Sequence, residues 1–242
     1  MTLKEAINVR CSNRKYLNTP IPQNKVQKME ELINRYNKEA DLNMQLILNN
    51  GKAFAGLKRS YGMFSGVNNY IAVVGKTDDF SKERAGYYGE KLVLEATCLN
   101  LGTCWVGTCF DKKSCVCFVN QDEEIYCLIV LGQVADKFSL KEKIISKAMH
   151  RKTKSFNEIV EADTTELPNW FKNGIYAVQK APSALNQQPV KFIYQSGTVR
   201  ARVSDKSPYG PIDMGIAKLH FELGAEGGYW EFGNNAEYHR TE

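Results

Sequence analysis

The chain is poor in histidine and lacks any long hydrophobic run. It has three histidines, and the sequence contains no Ser-His-Asp arrangement and no metal-ligand spacing. Nowhere do about 18 apolar residues follow one another, so no transmembrane helix is expected. Residues 1–5 lack the apolar stretch of a signal peptide. We therefore expect a cytoplasmic protein.

The chain carries only a small excess of positive charge. Lysine and arginine total 32 against 27 aspartates and glutamates, a net charge of +5, and no dense basic run or nucleic-acid motif is present. We therefore expect a small-molecule substrate and neither nucleic acid nor membrane as a partner. A length of 242 residues with 43% hydrophobic content fits one large globular domain or two smaller ones.

Seven cysteines form an odd count, which fits poorly with a disulfide framework. Five of them lie between residues 98 and 117, which leaves a metal or iron–sulfur protein as an alternative. No pair has C-x-x-C spacing and no histidine is close. We interpret them as free thiols that act as small apolar residues. They are Cys11, Cys98, Cys104, Cys109, Cys115, Cys117 and Cys127.

Three short motifs contain residues that suit the binding of a ligand. Residues 10–16, Arg-Cys-Ser-Asn-Arg-Lys-Tyr, place Arg10 and Arg14 around the Ser12 hydroxyl. Arginine forks suit phosphate oxygens, although a solvated basic turn has the same composition.

The second motif, LGTCWVG at residues 101–107, ends a helical pattern that begins at Arg84. Gly102 is predicted as the helix C-cap, and Gly107 allows another backbone to approach closely. An ordinary helix–turn–strand junction is the alternative. The candidate residues are Gly102, Thr103, Cys104, Trp105, Val106 and Gly107.

The third motif, APSALNQQP at residues 181–189, lies between a helical and a strand pattern. Two prolines stiffen it, and its short polar side chains suit a flat polar ring. An ordinary helix-to-strand loop is the alternative. The candidate residues are Pro182, Ser183, Ala184, Asn186 and Gln188.

These motifs resemble those of the FMN-dependent nitroreductase family. The resemblance implies an α+β nitroreductase-like fold in which Arg10 and Ser12 hold the phosphate and ribityl side of FMN. Arg14 would reach the pyrimidine end, backbone amides of residues 102–107 would face the reactive ring, and APSALNQQP would hold the isoalloxazine. In that family the loop follows the first helix, which here leads instead into residues 37–43.

A basic segment at residues 150–158 also resembles a family feature that returns to the FMN phosphate. The sequence does not show which of Arg151, Lys152 and Lys154 would meet the phosphate. We take Arg151 and Lys152 as the candidate FMN-binding residues of this segment. A solvated lysine face is the alternative.

The order helix, strand, strand, helix, glycine, tryptophan occurs twice, which indicates a diverged internal duplication. Residues 1–160 form one predicted half, with the phosphate arm and LGTCWVG; residues 161–242 form the other, with the flavin loop. The chain resembles the family branch with two fused nitroreductase-like domains. We expect a monomer with an intrachain pseudo-dimer, or a domain-swapped homodimer. Helices are predicted at 23–38, 168–180 and 212–224, and strands at 44–48, 70–75, 125–133, 190–194, 199–203 and 229–232.

The function implied by the resemblance is FMN-dependent, two-electron reduction of nitroaromatics, quinones or related acceptors by NADH or NADPH. FMN is favoured over FAD because no G-x-G-x-x-G motif opens a helix. No catalytic side chain is expected; Arg14 would tune the ring by its charge. The alternative is an FMN-binding or sensory protein without turnover, because Val190 stands where the family usually has tryptophan.

Overall fold

The computed structural model describes residues 1–55, 63–135, 153–204 and 208–241. These residues form two compact units, each discontinuous in sequence. The first contains Met1 and, of the described residues, 9–55, 63–77 and 92–135. The second contains residues 2–8, 78–91, 153–204 and 208–241.

The chain has the α+β composition that was predicted. The α-helices of the described residues are α1 (Leu3–Val9), α2 (Gln23–Ala40), α3 (Asp79–Cys98), α4 (Phe156–Ile159), α5 (Asn169–Val178) and α6 (Gly210–Ala225). The strands are β1 (Gln45–Ile47), β2 (Tyr70–Lys76), β3 (Gly102–Val106), β4 (Glu123–Gly132), β5 (Val160–Ala162), β6 (Lys191–Gln195), β7 (Thr198–Arg202), β8 (Tyr229–Trp230) and β9 (Glu237–His239). No helix of these residues is long and apolar enough to cross a bilayer.

The first unit contains a four-stranded antiparallel sheet in the order β1-β2-β4-β3. Its two central strands are apolar along most of their length, so they are buried on both faces. The side chains of Tyr70, Ala72 and Val74 in β2 pack with Leu128 and Val130 of β4 in one core. This sheet fixes the position of β3, which carries most of the LGTCWVG motif.

The second unit contains a five-stranded sheet in the order β5-β6-β7-β9-β8, with β5 parallel to β6 and the other pairs antiparallel. Its core is aromatic: the rings of Phe192 and Phe221 stack with their centroids 5.1 Å apart, and Phe171, Trp230 and Tyr238 join the same cluster. Aromatic pairs of this kind add about 0.5–1.5 kcal/mol beyond the burial of their area.

Among the described residues, the same order of α-helices and strands occurs twice. The segment from α2 to β4 and the segment from α5 to β9 each run helix, strand, strand, helix, strand, strand. The strand order β1-β2-β4-β3 also equals β6-β7-β9-β8 when each strand is replaced by its counterpart. The predicted recurrence of elements is therefore present; the duplication that would explain it stays a prediction.

The prediction that Gly102 caps a helix is wrong. Helix α3 begins at Asp79 and ends at Cys98, and Asn100 supplies the left-handed residue after it, at φ 54°. The Leu101 N–H donates to the Ala96 carbonyl at 2.9 Å and closes the helix end. Asparagine tolerates the left-handed region, so glycine is not needed there, and Gly102 instead begins β3.

Three strands were not predicted: β3, where the pattern indicated only the end of a helix and a turn, and the short strands β5 and β9. β5 spans Val160–Ala162 and β9 spans Glu237–His239, and neither overlaps a predicted strand. Each has three residues, too few for a periodic pattern to register. Each strand forms because a neighbouring strand offers pairing partners, which is a property of the folded chain.

The buried helix α6 carries charge inside the second unit. Lys218 and His220 are fully buried. The Lys218 ammonium pairs with the Glu83 carboxylate of α3, and the Glu83 carboxylate also accepts the Gly233 N–H at 2.7 Å. The His220 Nε2 lies 2.9 Å from the Glu90 carboxylate. These pairs satisfy groups whose burial alone would be costly.

Candidate functional site

The predicted phosphate arm lies against β3 within the first unit. Ser12 and Thr103 form an isolated parallel bridge, and the Asn13 N–H donates to the Thr103 carbonyl at 2.8 Å. The Tyr16 hydroxyl donates to the Asn13 carbonyl at 2.7 Å and fixes the arm's curvature. Two motifs separated by about ninety residues are thus brought side by side.

Gly102 makes this approach possible. A Cβ added there would lie 2.9 Å from Cγ of Asn13 and 2.3 Å from Cγ1 of Val134. Contacts that short force neighbouring atoms to move. The glycine is needed for close packing of the arm on the strand, a reason different from the helix cap that its pattern indicated.

The arm brings positive charge to the start of β3. Burial raises the pKa of the Cys104 thiol, while Arg14, the Ser12 hydroxyl and Arg10 act to lower it. These groups therefore lie near Cys104, and two cations beside a hydroxyl form a donor set that suits a phosphate. The Cys104 thiol is buried, and its raised pKa favours the protonated form, which is a poor nucleophile.

The remaining motif residues belong to the same strand edge. Thr103 and Val106 are buried, and Trp105 is half-buried opposite Ile129 of β4. Gly107 follows the last residue of β3. Their side chains serve mainly to hold the strand in the sheet.

The APSALNQQP loop has an unusual backbone within the second unit. Leu185, Asn186 and Gln188 all have left-handed φ, at 51°, 54° and 47°. This conformation costs roughly 1–2 kcal/mol per non-glycine residue and is concentrated at ligand sites. The Leu185 side chain is in addition 66% exposed, an apolar group presented to solvent that the sequence did not single out.

Hydrogen bonds within the loop hold this backbone in place. The Gln188 N–H donates to the Ser183 hydroxyl at 2.9 Å, and the Asn186 N–H donates to the Ser183 carbonyl at 2.9 Å. The polar side chains that were predicted to meet a ring therefore also stabilise the loop, which leaves it preorganised.

Lys154 ties the basic segment to this loop. Its ammonium donates to the Gln188 carbonyl at 2.8 Å, and its backbone N–H donates to the Gln188 Oε1 at 3.0 Å. The Gln179 side-chain amide donates to the Lys154 carbonyl at 2.9 Å. The other two basic candidates, Arg151 and Lys152, lie outside the described residues.

Asp213 is the site residue that the sequence reasoning missed. Its carboxylate accepts the Ala184 N–H at 2.9 Å and is 3% exposed. It lines a small pocket under the loop together with Ser183, Gln188 and Val190. Burial raises its pKa to about 7, and the Ala184 N–H opposes that rise. The sequence feature that could have identified Asp213 is its position as an acidic residue in the otherwise apolar start of α6.

The cysteines of residues 98–117 do not assemble into a metal centre in the part of the chain that the structure describes. No group of three or more His, Cys, Asp or Glu side chains there is arranged to hold an ion. The seven cysteines, all within the described residues, are not joined in disulfides. Cys109, Cys115 and Cys117 pack against the core of the first unit, as small apolar residues would.

Comparison with solved structures defines the class of fold. The crystal structure of a protein described as a "putative nitroreductase" from Thermotoga maritima matches with a TM-score of 0.69 and 23% identity, over 98% of this chain and 92% of that chain. A nitroreductase with bound FMN from Bacteroides fragilis matches with a TM-score of 0.46 and 20% identity, over 59% of this chain and 93% of that chain. The first match shows that the chain has the nitroreductase fold.

The family follows from the sequence itself. The family model described as "Putative TM nitroreductase" matches residues 2–225, which is most of the chain, and the chain belongs to this family. Membership makes it an oxidoreductase of the nitroreductase type. None of the curated proteins matches the chain.

Proposed function

We propose that this chain is an FMN-dependent oxidoreductase that takes hydride from NADH or NADPH and reduces nitroaromatic, quinone or related acceptors. The observation that carries the proposal is the pairing of the arm with β3, where Ser12 bridges Thr103. Two motifs that resemble FMN-binding segments of the family lie together, as a shared ligand requires.

The arm is proposed to hold the phosphate end of FMN. Arg10 and Ser12 supply a fork and a hydroxyl, and charge-assisted hydrogen bonds of this kind are the stronger ones. Arg14 is proposed to lie at the pyrimidine end, where its fixed positive charge favours negative charge on the ring. The combined lowering effect of both arginines on the pKa of Cys104 supports a local positive field.

The APSALNQQP loop is proposed to contact the ring. Its strained backbone is held by hydrogen bonds within the loop and by the bond from the Ala184 N–H to Asp213 of α6, so little ordering remains to be done on binding. The exposed Leu185 side chain offers an apolar surface to a flat aromatic ligand. Lys154 is proposed to stabilise this loop through its hydrogen bond to Gln188. Arg151 or Lys152 is therefore proposed as the residue of the basic segment that binds the FMN phosphate.

Bound FMN would supply the hydride chemistry itself. The chain's residues then bind, orient and tune, and no acid–base pair is needed. The protonated state of the buried Cys104 thiol leaves that residue a structural role beside the arm.

The second candidate is FMN binding without turnover. Val190 is 5% exposed and belongs to the core of the second unit. A small buried side chain at this position leaves the surface of the loop without the large aromatic group that the family usually places there.

We also propose that the chain arose by duplication, with halves at residues 1–160 and 161–242. The repeated element order and the repeated strand order support this, because two unrelated halves have no reason to share both. The proposed assembly is a monomer with an intrachain pseudo-dimer; a domain-swapped homodimer is its alternative.

An absorption spectrum and a turnover assay test the function. The purified protein is expected to show flavin absorbance and to release FMN, and to oxidise NADH or NADPH faster when a nitroaromatic or quinone is added. Flavin binding without acceptor-dependent oxidation would support the second candidate. No flavin after incubation with FMN would refute both.

A further inference from the structure

The carboxyl of Asp213 occupies the point where α6 meets the APSALNQQP loop. One oxygen accepts the Ala184 N–H. The other, Oδ2, is buried without a hydrogen-bond partner among the described residues. Such a group carries the full cost of desolvation, about 1–3 kcal/mol or more if charged.

The surroundings of this oxygen are mostly apolar. Ile159, Val178, Val190 and Ala217 line the pocket, along with prolines of the loop. Several titratable side chains of the neighbouring helices are paired with one another, whereas the buried Nε of Arg84 in α3 has no hydrogen-bond partner among the described residues. In α6 and α3, Lys218 pairs with Glu83, His220 with Glu90, and Tyr87 with Glu222; Lys154, before α4, is bound to Gln188.

The Ala184 contact is made at the start of the strained part of the loop. Leu185 and Asn186, the next two residues, both have left-handed φ. Loss of the acceptor for the Ala184 N–H would remove a contact from outside the loop that opposes relaxation of this turn, and would leave the Lys154 contacts at Gln188, nearer the other end of the loop. The contact is therefore placed where it controls the loop's shape.

We propose that Asp213 is a positioning residue for the APSALNQQP loop, and that its neutral carboxyl is the form that holds the loop closed. The neutral acid still accepts the Ala184 N–H with one oxygen, and it carries no buried charge. Ionisation places a charge with one donor in an apolar pocket, which favours opening of the loop to water. This inference rests on the proposed function, since the loop is taken to contact FMN.

The sign of the effect follows from the burial. Because burial raises the pKa of Asp213 to about 7, the closed loop is favoured most at acidic pH. It becomes less favoured as the pH rises towards that value, because the ionised carboxyl is better solvated in the open state. The dissociation constant of FMN is therefore expected to rise from about pH 4, near the ordinary carboxyl pKa of 3.8, to about pH 7, by at most tenfold per unit, and to level off above that pH.

The test compares Asp213→Asn, Asp213→Leu and a control on the same helix. Asp213→Asn keeps the acceptor for Ala184 and cannot ionise, so it should bind FMN with the parent's acidic-side affinity and little pH dependence beyond that of FMN itself. Asp213→Leu lacks the acceptor for Ala184, so it should bind FMN several-fold more weakly than Asp213→Asn at every pH. Glu222→Gln, whose native side chain accepts the Tyr87 hydroxyl at 2.8 Å, should keep the parent's pH dependence.

Hydrogen exchange of a peptide covering residues 181–189, without FMN, provides a second readout. Exchange should accelerate in Asp213→Leu and stay slow in Asp213→Asn. A parent-like pH slope in Asp213→Asn, or unchanged exchange in Asp213→Leu, would overturn the inference. If the parent binds no FMN, the proposed function fails, and the exchange measurement alone decides the role of Asp213.

Discussion

Arg10 is the residue on which phosphate binding most directly depends. Arg10→Ala removes a charge-assisted contact of about 1.5–3 kcal/mol, so FMN affinity should fall roughly ten- to a hundredfold. Titration of the apoprotein with FMN by flavin fluorescence measures this. Lys15→Ala, which removes an exposed cation from the same segment, is the matched control and should change affinity little. Equal FMN affinities for Arg10→Ala and the parent would show that Arg10 does not bind the phosphate and that the arm is an ordinary surface turn.

Lys218 illustrates a charge with a structural purpose. Burial lowers its pKa and raises that of its partner Glu83, while their mutual attraction opposes both shifts. Lys218→Met leaves the Glu83 carboxylate buried with the Gly233 N–H, so the free energy of unfolding should fall by about 3–5 kcal/mol. Urea denaturation measures the loss.

The exposed pair of Lys4 and Glu226, with side chains 47% and 65% accessible, provides the control. Lys4→Met should cost less than about 1 kcal/mol. The double variant Lys218→Met/Glu83→Leu should recover much of the lost stability, because no uncompensated charge remains. A double variant no more stable than Lys218→Met would contradict the account.

At the level of elements, β3 and the arm behave as one unit. Gly102→Ala places a Cβ against Asn13 and Val134, which should destabilise the fold by about 1–3 kcal/mol and weaken FMN binding by displacing the arm. The measurement is a double-mutant cycle on FMN affinity with Arg10→Ala. Because both changes act through the arm, the effect of Arg10→Ala should shrink in the Gly102→Ala background. Strictly additive effects would show that the two sites are independent.

At the level of the whole molecule, the distribution of motifs predicts one FMN per chain. The stretch before α5 that corresponds to the arm, residues 161–166, carries three acids, which repel phosphate. The stretch after α2 that corresponds to the loop, residues 37–43, lacks APSxxNxQP. Each proposed half therefore carries the motif for only one part of FMN: the first half has the phosphate arm, and the second half has the APSALNQQP loop.

Sedimentation of the flavin-loaded protein, with its flavin-to-protein ratio, tests this. A ratio of one with a single-chain mass is expected, and the released flavin should run as FMN on chromatography. A two-chain mass at the same ratio would favour the domain-swapped dimer. Two FMN per chain, or recovery of FAD, would contradict the prediction.

The sequence by itself determined the features that depend on local periodicity and on motif chemistry. The amphipathic pattern of Val26, Met29, Leu32, Ile33 and Tyr36 predicted a helix at 23–38, and α2 spans Gln23–Ala40 with all five buried. The apolar run at 70–75 predicted a buried strand, and β2 spans Tyr70–Lys76. Both succeed because a helix or strand repeats its contacts every few residues. The motifs identified the nitroreductase family by the same local means.

The tertiary structure decided what depends on distant contacts. Gly102 was correctly chosen as a special residue but for the wrong reason, since only the folded chain places Asn13 against it. Asp213 looked ordinary because its burial depends on the loop that covers it, and Ala184 is 29 residues away. β5 exists through its pairing with β6. Burial and close approach are set by which segments meet, and no local pattern in the sequence records that.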